Sequence, residues 1–165
     1  MENDQFPSAS SGQVALIKKL LLALIVVAGL GFIDASYLTI LKFIGEVPAC
    51  GEFGNCDSVT NSQYATIGPI PIALLGALYY LTVAVLSIYA LDRKSVSFAK
   101  LASKLTWVGL LASLYLVFLQ LFVIKSICIY CMVSAGSSTV LFILGMTMLR
   151  KVRNVGGVGD ESPRT

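Results

Sequence analysis

The sequence contains no histidine among its 165 residues, and charged residues make up only 13% of it. Without imidazole there is no histidine general base, no histidine-ligated haem and no histidine ligand of the kind most zinc enzymes use. A glycine-rich dinucleotide fingerprint is also missing, which argues against a bound nucleotide cofactor. Several common classes of enzyme are therefore excluded, and the four cysteines become the side chains of greatest chemical interest.

Long apolar runs fill most of the chain, and 56% of its residues are hydrophobic. The four runs cover residues 20–41, 67–91, 105–124 and 126–149. A helix of about 20 residues crosses the roughly 30 Å of hydrocarbon in a bilayer. Backbone amides in lipid must be paired within their own segment, so the runs are predicted to be helices. The expected fold is an all-α membrane protein, a four-transmembrane-helix bundle with a cysteine-bearing first outer loop at residues 42–66.

The positive charges predict the orientation of this bundle. Ten of the 12 lysines and arginines lie before the first run, between the second and third, or after the fourth. Only Lys42 and Lys125 lie on the opposite side. Positive residues are retained in the cytoplasm, so both termini are expected inside and all four cysteines on the exocytoplasmic side of the cell membrane. Because the basic clusters serve as topology signals, lipid is the predicted surrounding and nucleic acid is not a predicted partner.

Polar, Ser-rich or Gly-rich sequence flanks the bundle at both ends. Residues 1–13 and 152–165 have no hydrophobic periodicity and are expected to be disordered cytoplasmic tails. The membrane domain is then predicted to span residues 14–151. No further globular domain is expected after the last helix.

Two pairs of cysteines are predicted to share one edge of the bundle. Cys50 and Cys56 lie in the outer loop with two glycines between them, so their disulfide could either open and close or act as a fixed staple. Cys128 and Cys131 are expected in the first turns of the last helix, where the helix dipole favours thiolate. Ser126 is the predicted cap of that helix, and the charge of Lys125 is expected to add to the effect.

The two pairs together indicate a relay of electrons by thiol–disulfide exchange. Cys131 lies one turn, about 4.5 Å, deeper than Cys128 and so faces a lipid-soluble electron acceptor, for which a quinone is the natural candidate. Two other hypotheses remain: a non-enzymatic scaffold with two structural disulfides, and a zinc site formed by four thiolates. No metal ligand is predicted, since the loop pair lacks the usual CxxC spacing.

Asp34 is the one acidic residue within a predicted span. A carboxylate in hydrocarbon is costly, so such residues face the bundle interior or a wet cavity. One interpretation is a structural bond to the hydroxyl of Ser36 or Tyr37. The other is a proton relay or a contact to a bound ligand.

These features together resemble the vitamin K epoxide reductase family in its compact prokaryotic form. The resemblance extends over residues 20–149. It rests on the four spans, on the loop with Cys50 and Cys56, and on the CxxC that opens the last span. The stretch Cys-Asp-Ser-Val at residues 56–59, followed by Asn-Ser at 61–62, completes the pattern.

The resemblance implies a role for each cysteine. Cys50 would accept electrons from a reduced thiol partner, and Cys56 would pair with it or pass electrons to Cys128. Cys131 would face and reduce a quinone of the ubiquinone or menaquinone type. Ser62 matches a family serine that supports this site, and Asp34 is taken as a further candidate for contact with the quinone.

Two positions depart from the vertebrate enzymes of this family. Ile72 and Ala135 stand where those enzymes carry an asparagine and a tyrosine that hydrogen-bond the quinone. Quinone reduction coupled to disulfide formation is therefore favoured, with reduction of vitamin K or its epoxide as the alternative. Because this chain is expected to end without a fused thioredoxin-like domain, a separate exported DsbA-like or thioredoxin-like partner is implied.

Overall fold

Four long helices form the bundle in the computed structural model, which describes residues 11–50, 55–93 and 95–156. They are α1 (Ser11–Ile44), α3 (Ile72–Asp92), α4 (Val96–Phe118), which continues as a π-helical segment (Leu119–Ile124), and α5 (Ile129–Gly156). All four are long and apolar enough to cross a membrane. The predicted all-α, four-span membrane fold is therefore confirmed.

The outer surface of the bundle is apolar, as a surface in contact with lipid must be. Large side chains such as Leu30, Ile33 and Leu111 are 61%, 66% and 61% exposed. In water such a surface would be unfavourable, but hydrocarbon solvates it at no cost. Helix association must then rest on close packing inside the bundle.

Small residues provide that close packing. The ring of Tyr80 on α3 lies directly against Gly31 on α1, since a Cβ added at Gly31 would come within 2.5 Å of it. Gly145 on α5 similarly accommodates Thr106 on α4, where an added Cβ would lie 2.8 Å from the hydroxyl oxygen. Ala77 is buried at the same kind of contact. In this way α1 packs on α3 and α5, and α4 packs on α3 and α5.

The helices alternate in direction, so their connections divide between two ends. The loop from α1 to α3 and the short segment between the π-helix and α5 lie at one end, which we call the cysteine end. The connection from α3 to α4 lies at the other end. All four cysteines belong to the two connections at the cysteine end or to the first turn of α5.

The outer loop contains more regular structure than the sequence analysis predicts. A short helix, α2 (Cys56–Thr60), is capped by Asn55, whose side-chain oxygen accepts from the backbone N–H of Ser58 at 3.4 Å. Asp57 and Ser58 lie inside this helix and do not cap it. A two-stranded antiparallel pair follows, formed by β1 (Thr66–Ile67) and β2 (Ile70–Pro71).

The helix ends also differ from the prediction. Both α1 and α5 continue past the apolar runs through basic turns, so residues 11–13 and 152–156 are helical rather than part of the tails. The rest of the predicted tails, residues 1–10 and 157–165, lies outside the described residues. Long polar side chains such as those of Lys18 and Arg150 suit a helix that is leaving the membrane.

The start of the last helix is the most important difference for function. We predicted a helix from Ser126, but α5 begins at Ile129. Lys125 has a left-handed backbone conformation with φ of 53°, which ends the preceding π-helical segment. Residues 126–128 are therefore non-helical, and Cys128 precedes the helix rather than lying in its first turn. Its carbonyl oxygen accepts the backbone N–H of Met132 at 3.0 Å, as an N-cap residue does.

Candidate redox site

Three of the four cysteine sulfurs lie together at the cysteine end. Cys50 and Cys56 are joined in a disulfide, with a Cα–Cα distance of 5.9 Å. Cys128 is a free thiol, and its sulfur and those of the disulfide all lie within 4.8 Å of one another. A modest movement would bring the Cys128 sulfur into the contact that thiol–disulfide exchange requires.

The cluster is shielded from water. Cys56 is 2% exposed and Cys128 is fully buried, and both pack against Val59 of α2. Cys50 is only half-buried at the edge of the cluster. Cys50 is therefore the more accessible half of the disulfide, while Cys56 is covered and lies against Cys128.

Gln120 positions Cys128 from the π-helical segment. Its side-chain oxygen accepts the backbone N–H of Cys128 at 3.0 Å, and its backbone oxygen accepts the N–H of Ser126 at 3.1 Å. Gln120 is only 3% exposed, so these bonds form away from water. A single π-turn in a helix often marks a functional position, and here it directs a polar side chain at the redox segment.

The outer loop is attached to the same segment. The backbone N–H of Asn55 donates to the carbonyl oxygen of Ile127 at 3.1 Å. Because Asn55 also caps α2, one residue fixes both the helix that carries Cys56 and its distance from Cys128. The two redox connections are thereby joined through the backbone.

Lys42 braces the other end of α2. Its ammonium group donates to the carbonyl oxygen of Thr60 at 2.9 Å and to the side-chain oxygen of Asn61 at 3.0 Å. The hydroxyl of Ser62 donates to the carbonyl oxygen of Val59 at 2.8 Å. The last carbonyls of α2 are thus paired by side chains, which holds the short helix against the end of the bundle.

Two tyrosines lie beside the Cys50 side of the cluster. The rings of Tyr37 and Tyr130 have centroids 5.4 Å apart, which links α1 to the first turn of α5. The hydroxyl of Tyr130 is 3.4 Å from the carbonyl oxygen of Ala49, next to Cys50. These contacts place residue 50 above the start of α5.

The environment of Cys128 favours its thiolate. A hydrogen bond from the Cys131 thiol is the largest influence and lowers the pKa of Cys128 from 9.0 to about 7. Burial and the charge of Asp34 oppose this effect, while backbone N–H groups of Cys131 and Tyr130 support it. The predicted contribution of Lys125 is not among these causes. A thiolate at neutral pH is the form that attacks a disulfide.

Cys131 faces a different environment. It lies in the wall of an apolar cavity of about 420 Å³ between the four long helices and the outer loop. Most of the wall is apolar, and the polar side chains on it include Lys42, Gln120 and the hydroxyls of Tyr79, Tyr80, Ser134 and Ser138. A largely apolar cavity of this size with a few directed polar groups suits the ring of a small lipid-soluble molecule. Cys131 thus lies between the buried Cys128 and this cavity.

The other predicted site residues are placed as follows. Ser62 lies on the cavity wall, although its hydroxyl donates its hydrogen bond to the carbonyl oxygen of Val59. Ile72 and Ala135, the two positions that depart from the vertebrate pattern, also line the cavity. Asp34 is not among the lining residues. It lies in the helix contact next to the cavity, and its Oδ2 has no hydrogen-bond partner within the described part of the chain.

Two residues that contribute to the site were not predicted from the sequence. Gln120 is a lone amide within an apolar run, and that isolation is the signal that could have identified it. Lys42 is one of only two basic residues on its predicted side of the membrane. Its charge indicated the orientation of the bundle but not its hydrogen bonds to the end of α2. Both act through hydrogen bonds that depend on the fold of distant segments.

The three clustered sulfurs also bear on the zinc hypothesis. Their spacing would allow them to share a metal ion. However, two of them form the disulfide, and a disulfide sulfur is not the thiolate that zinc requires. In this redox state the cluster offers one thiolate, from Cys128.

Comparison with known proteins agrees with this geometry. Residues 22–146 match the Vitamin K epoxide reductase family. The chain is also similar to the thiol-disulfide oxidoreductase LTO1 of Arabidopsis thaliana, with 30% identity over 137 residues, which is 76% of this chain. It covers only 36% of the length of that relative. The matched region contains all four cysteines, the whole of α3 and α4, and most of α1 and α5. The chain therefore belongs to the vitamin K epoxide reductase family of membrane thiol oxidoreductases.

Proposed function

We propose that this protein is a membrane thiol:quinone oxidoreductase that drives disulfide formation in exported proteins. The observation that carries the proposal is the order of the sulfurs. A half-exposed Cys50 is bonded to Cys56, Cys128 lies within 4.8 Å of both, and Cys131 opens onto an apolar cavity. The arrangement leads from solvent to a lipid-accessible space.

In the proposed sequence, a reduced thiol partner attacks the Cys50 sulfur and opens the Cys50–Cys56 disulfide. The partner's second thiol resolves the mixed disulfide at Cys50, so the partner leaves as a disulfide and Cys50 is released as a thiol. The Cys56 thiolate attacks Cys128 when that residue is bonded to Cys131, and Cys131 leaves as a thiolate that takes up a proton. Cys50 then attacks the Cys56 sulfur, which reforms the loop disulfide, releases Cys128 and gives the described state with a loop disulfide and inner thiols. Two electrons have moved inward and no atom is lost.

The inner pair then returns to its disulfide by giving its two electrons to a quinone of the ubiquinone or menaquinone type. The cavity supports this acceptor because it is apolar, adjoins Cys131 and presents hydroxyls on its wall. When bound, a quinone would supply the two-electron acceptor that the dithiol needs. Cys131 would orient and reduce it, and Ser62 would support the loop side of the cavity.

The proposed surroundings follow from the charges. Both termini would lie in the cytoplasm of a multi-pass cell-membrane protein, with the cysteine end on the exocytoplasmic side. The electron donor would be a separate exported DsbA-like or thioredoxin-like protein. The name of the plant relative, a thiol-disulfide oxidoreductase, supports the thiol half of this reaction.

The test is quinone reduction by the purified protein in lipid nanodiscs, with a reduced thioredoxin-like protein as donor. Cys128→Ser and Cys131→Ser are expected to abolish reduction. Cys50→Ser should block the protein donor but still permit reduction by a small dithiol that can reach the inner pair. Met132→Leu, a neighbouring change on the lipid-facing side of α5, is the control and should remain active.

The same assay separates the alternative hypotheses. Turnover by a Cys128→Ser/Cys131→Ser variant would refute the relay. Disulfides that resist mild reductant, with no turnover of quinone, would instead support a structural scaffold. Vitamin K epoxide supplied in place of the quinone tests the family's epoxide reaction, for which Ile72 and Ala135 provide no hydrogen-bond donor side chain.

A further inference from the structure

Asp34 lies where three helices meet beside Cys131. Gly31, one turn before it on α1, contacts the Tyr80 ring of α3, and Tyr37, one turn after it, contacts Tyr130 of α5. Residues three apart share a helix face, so Asp34 faces the junction between these contacts. The Tyr80 hydroxyl donates to the carbonyl oxygen of Ser134 on α5, so the two contacts fall at Tyr130 and Ser134, and Cys131 lies in the turn between them.

The carboxylate has no structural bond that would explain its presence. Its Oδ2 is buried and unpaired among the described residues, and the predicted bonds to Ser36 or Tyr37 are not formed by this atom. A half-buried carboxylate with one buried, unpaired oxygen is unfavourable inside a membrane bundle. Such a residue is more often functional than structural.

The surrounding groups belong to the redox site. Asp34 is close enough for its charge to act on Cys128, Cys131, Tyr80 and Tyr130, the titratable groups that face it from α3 and from the start of α5. The cavity wall includes Ala35 and Tyr80 but not Asp34. The carboxylate is therefore within electrostatic range of the thiols and is not part of the wall of the space for the quinone.

We propose that Asp34 accepts the thiol proton of Cys131 during the reduction of quinone, so that it acts through Cys131 and not as a quinone ligand. This inference rests on the proposed function. The overall step converts two thiols and a quinone into one disulfide and a hydroquinone. The S–H bond of Cys131 breaks, the Cys128–Cys131 bond forms and two electrons pass to the quinone. Its oxygens take up the Cys131 proton and one proton equivalent to the one that Cys128 released when it ionised. Asp34 holds one proton in transit and is ionised again at the end.

The structure shows why Cys131 needs such an acceptor. Its thiol proton is directed at the Cys128 sulfur, where it stabilises the thiolate. That proton must leave before the Cys131 sulfur can give up electrons. Cys128 cannot keep it, because the Cys128 sulfur forms the disulfide with Cys131 in the same step. Asp34 is the carboxylate that the described residues place beside this pair.

The experiment compares Asp34→Asn and Asp34→Glu with Asp92→Asn, in nanodiscs and with the full chain. Asp92 is exposed at the far end of α3, so its substitution makes the same chemical change away from the site. Quinone reduction is measured over a range of pH. Exchange between the loop pair and the inner pair is measured separately by mass mapping without quinone.

We expect Asp34→Asn to slow quinone reduction about 100-fold or more, the usual loss when a positioned base is removed. Its rate should rise steadily with pH, because hydroxide replaces the base, whereas the unmodified protein should reach a plateau. Asp34→Glu should restore much of the rate and the plateau, and exchange without quinone should not become slower in either variant.

Two results would overturn the inference. One is an Asp34→Asn protein with the unmodified rate and pH profile. The other is equal loss of quinone reduction and quinone-free exchange, which would indicate a structural role. If the unmodified protein exchanges thiols but does not reduce quinone, the proposed function has failed instead, and this inference fails with it.

Discussion

The side-chain oxygen of Gln120 accepts the backbone N–H of Cys128 at 3.0 Å, in a position where both residues are buried. Eight residues separate the two, and the π-turn and the left-handed Lys125 between them make the contact possible. The segment that carries the reactive sulfur is thus held by a side chain of the preceding helix. Secondary structure does not hold it, since residues 126–128 are non-helical.

Replacing Gln120 by Met removes this acceptor while keeping the volume of the side chain. The Cys128 N–H is then buried without a partner, at a cost of about 1–3 kcal/mol. We expect a lower midpoint of thermal unfolding and slower exchange between Cys56 and Cys128, measured by mass mapping. Leu121→Met, at a neighbouring lipid-facing position, is the control; equal effects of the two changes would contradict the role assigned to Gln120.

The proximity of Cys56 and Cys128 can be tested by trapping them. A Cys50→Ser/Cys131→Ser variant retains only these two cysteines, whose sulfurs lie within 4.8 Å in the intact protein. We expect mild oxidation to join them almost completely, as detected by mass spectrometry after alkylation of free thiols.

The matched control for the trap is Cys50→Ser/Cys128→Ser, which leaves Cys56 and Cys131. Cys131 is not part of the three-sulfur cluster, so its disulfide with Cys56 should form much more slowly. Equal yields from the two variants would mean that the loop moves too freely for the observed order of sulfurs to define a path.

The general fold was predictable because the bilayer imposes it. Four apolar runs of sufficient length allow few structures other than four helices, and all four helices are present. The Cys50–Cys56 pairing was implied by family resemblance and is present. The start of α5 was predicted too early, because Ser126 was taken as its cap from the local sequence alone. A backbone reversal at Lys125 and a bond from Gln120 set that start, and neither has a local signature.

The thiolate of Cys128 leads to a prediction about pH. Because the pKa of Cys128 is lowered to about 7, its charged form is present above this pH and is lost as the pH falls through it. Exchange with the loop disulfide should therefore rise with pH and level off above about 7. The difference in ultraviolet thiolate absorbance between the unmodified protein and Cys128→Ser measures the same titration.

Removing the hydrogen bond that sets this pKa should reverse the shift. In Cys131→Ala the thiol donor is lost, while burial and the Asp34 charge remain and both oppose ionisation of Cys128. We expect the titration to move up from about 7 towards the ordinary 9.0. Met132→Ala, adjacent on α5, should leave it in place. An unchanged titration in Cys131→Ala would show that another group stabilises the thiolate.

The cavity wall supplies the last prediction. Ile72 begins α3 and lines the cavity, at a position where the vertebrate family members carry a quinone-binding asparagine. Ile72→Asn would add an amide donor to a mostly apolar wall. One net hydrogen bond contributes about 1 kcal/mol, so we expect quinone to bind roughly five-fold more tightly. Equilibrium titration of quinone into nanodiscs measures this change.

The corresponding control is Leu78→Asn, further along α3, where the side chain is 52% exposed and is not among the residues that line the cavity. It introduces the same amide but directs it largely towards lipid, so it should not tighten binding. If both variants bound quinone as the unmodified protein does, the ring would not reach this end of the cavity. Cys131 would then meet its acceptor from the side of α4, where Leu116 and Leu119 form the opposite wall.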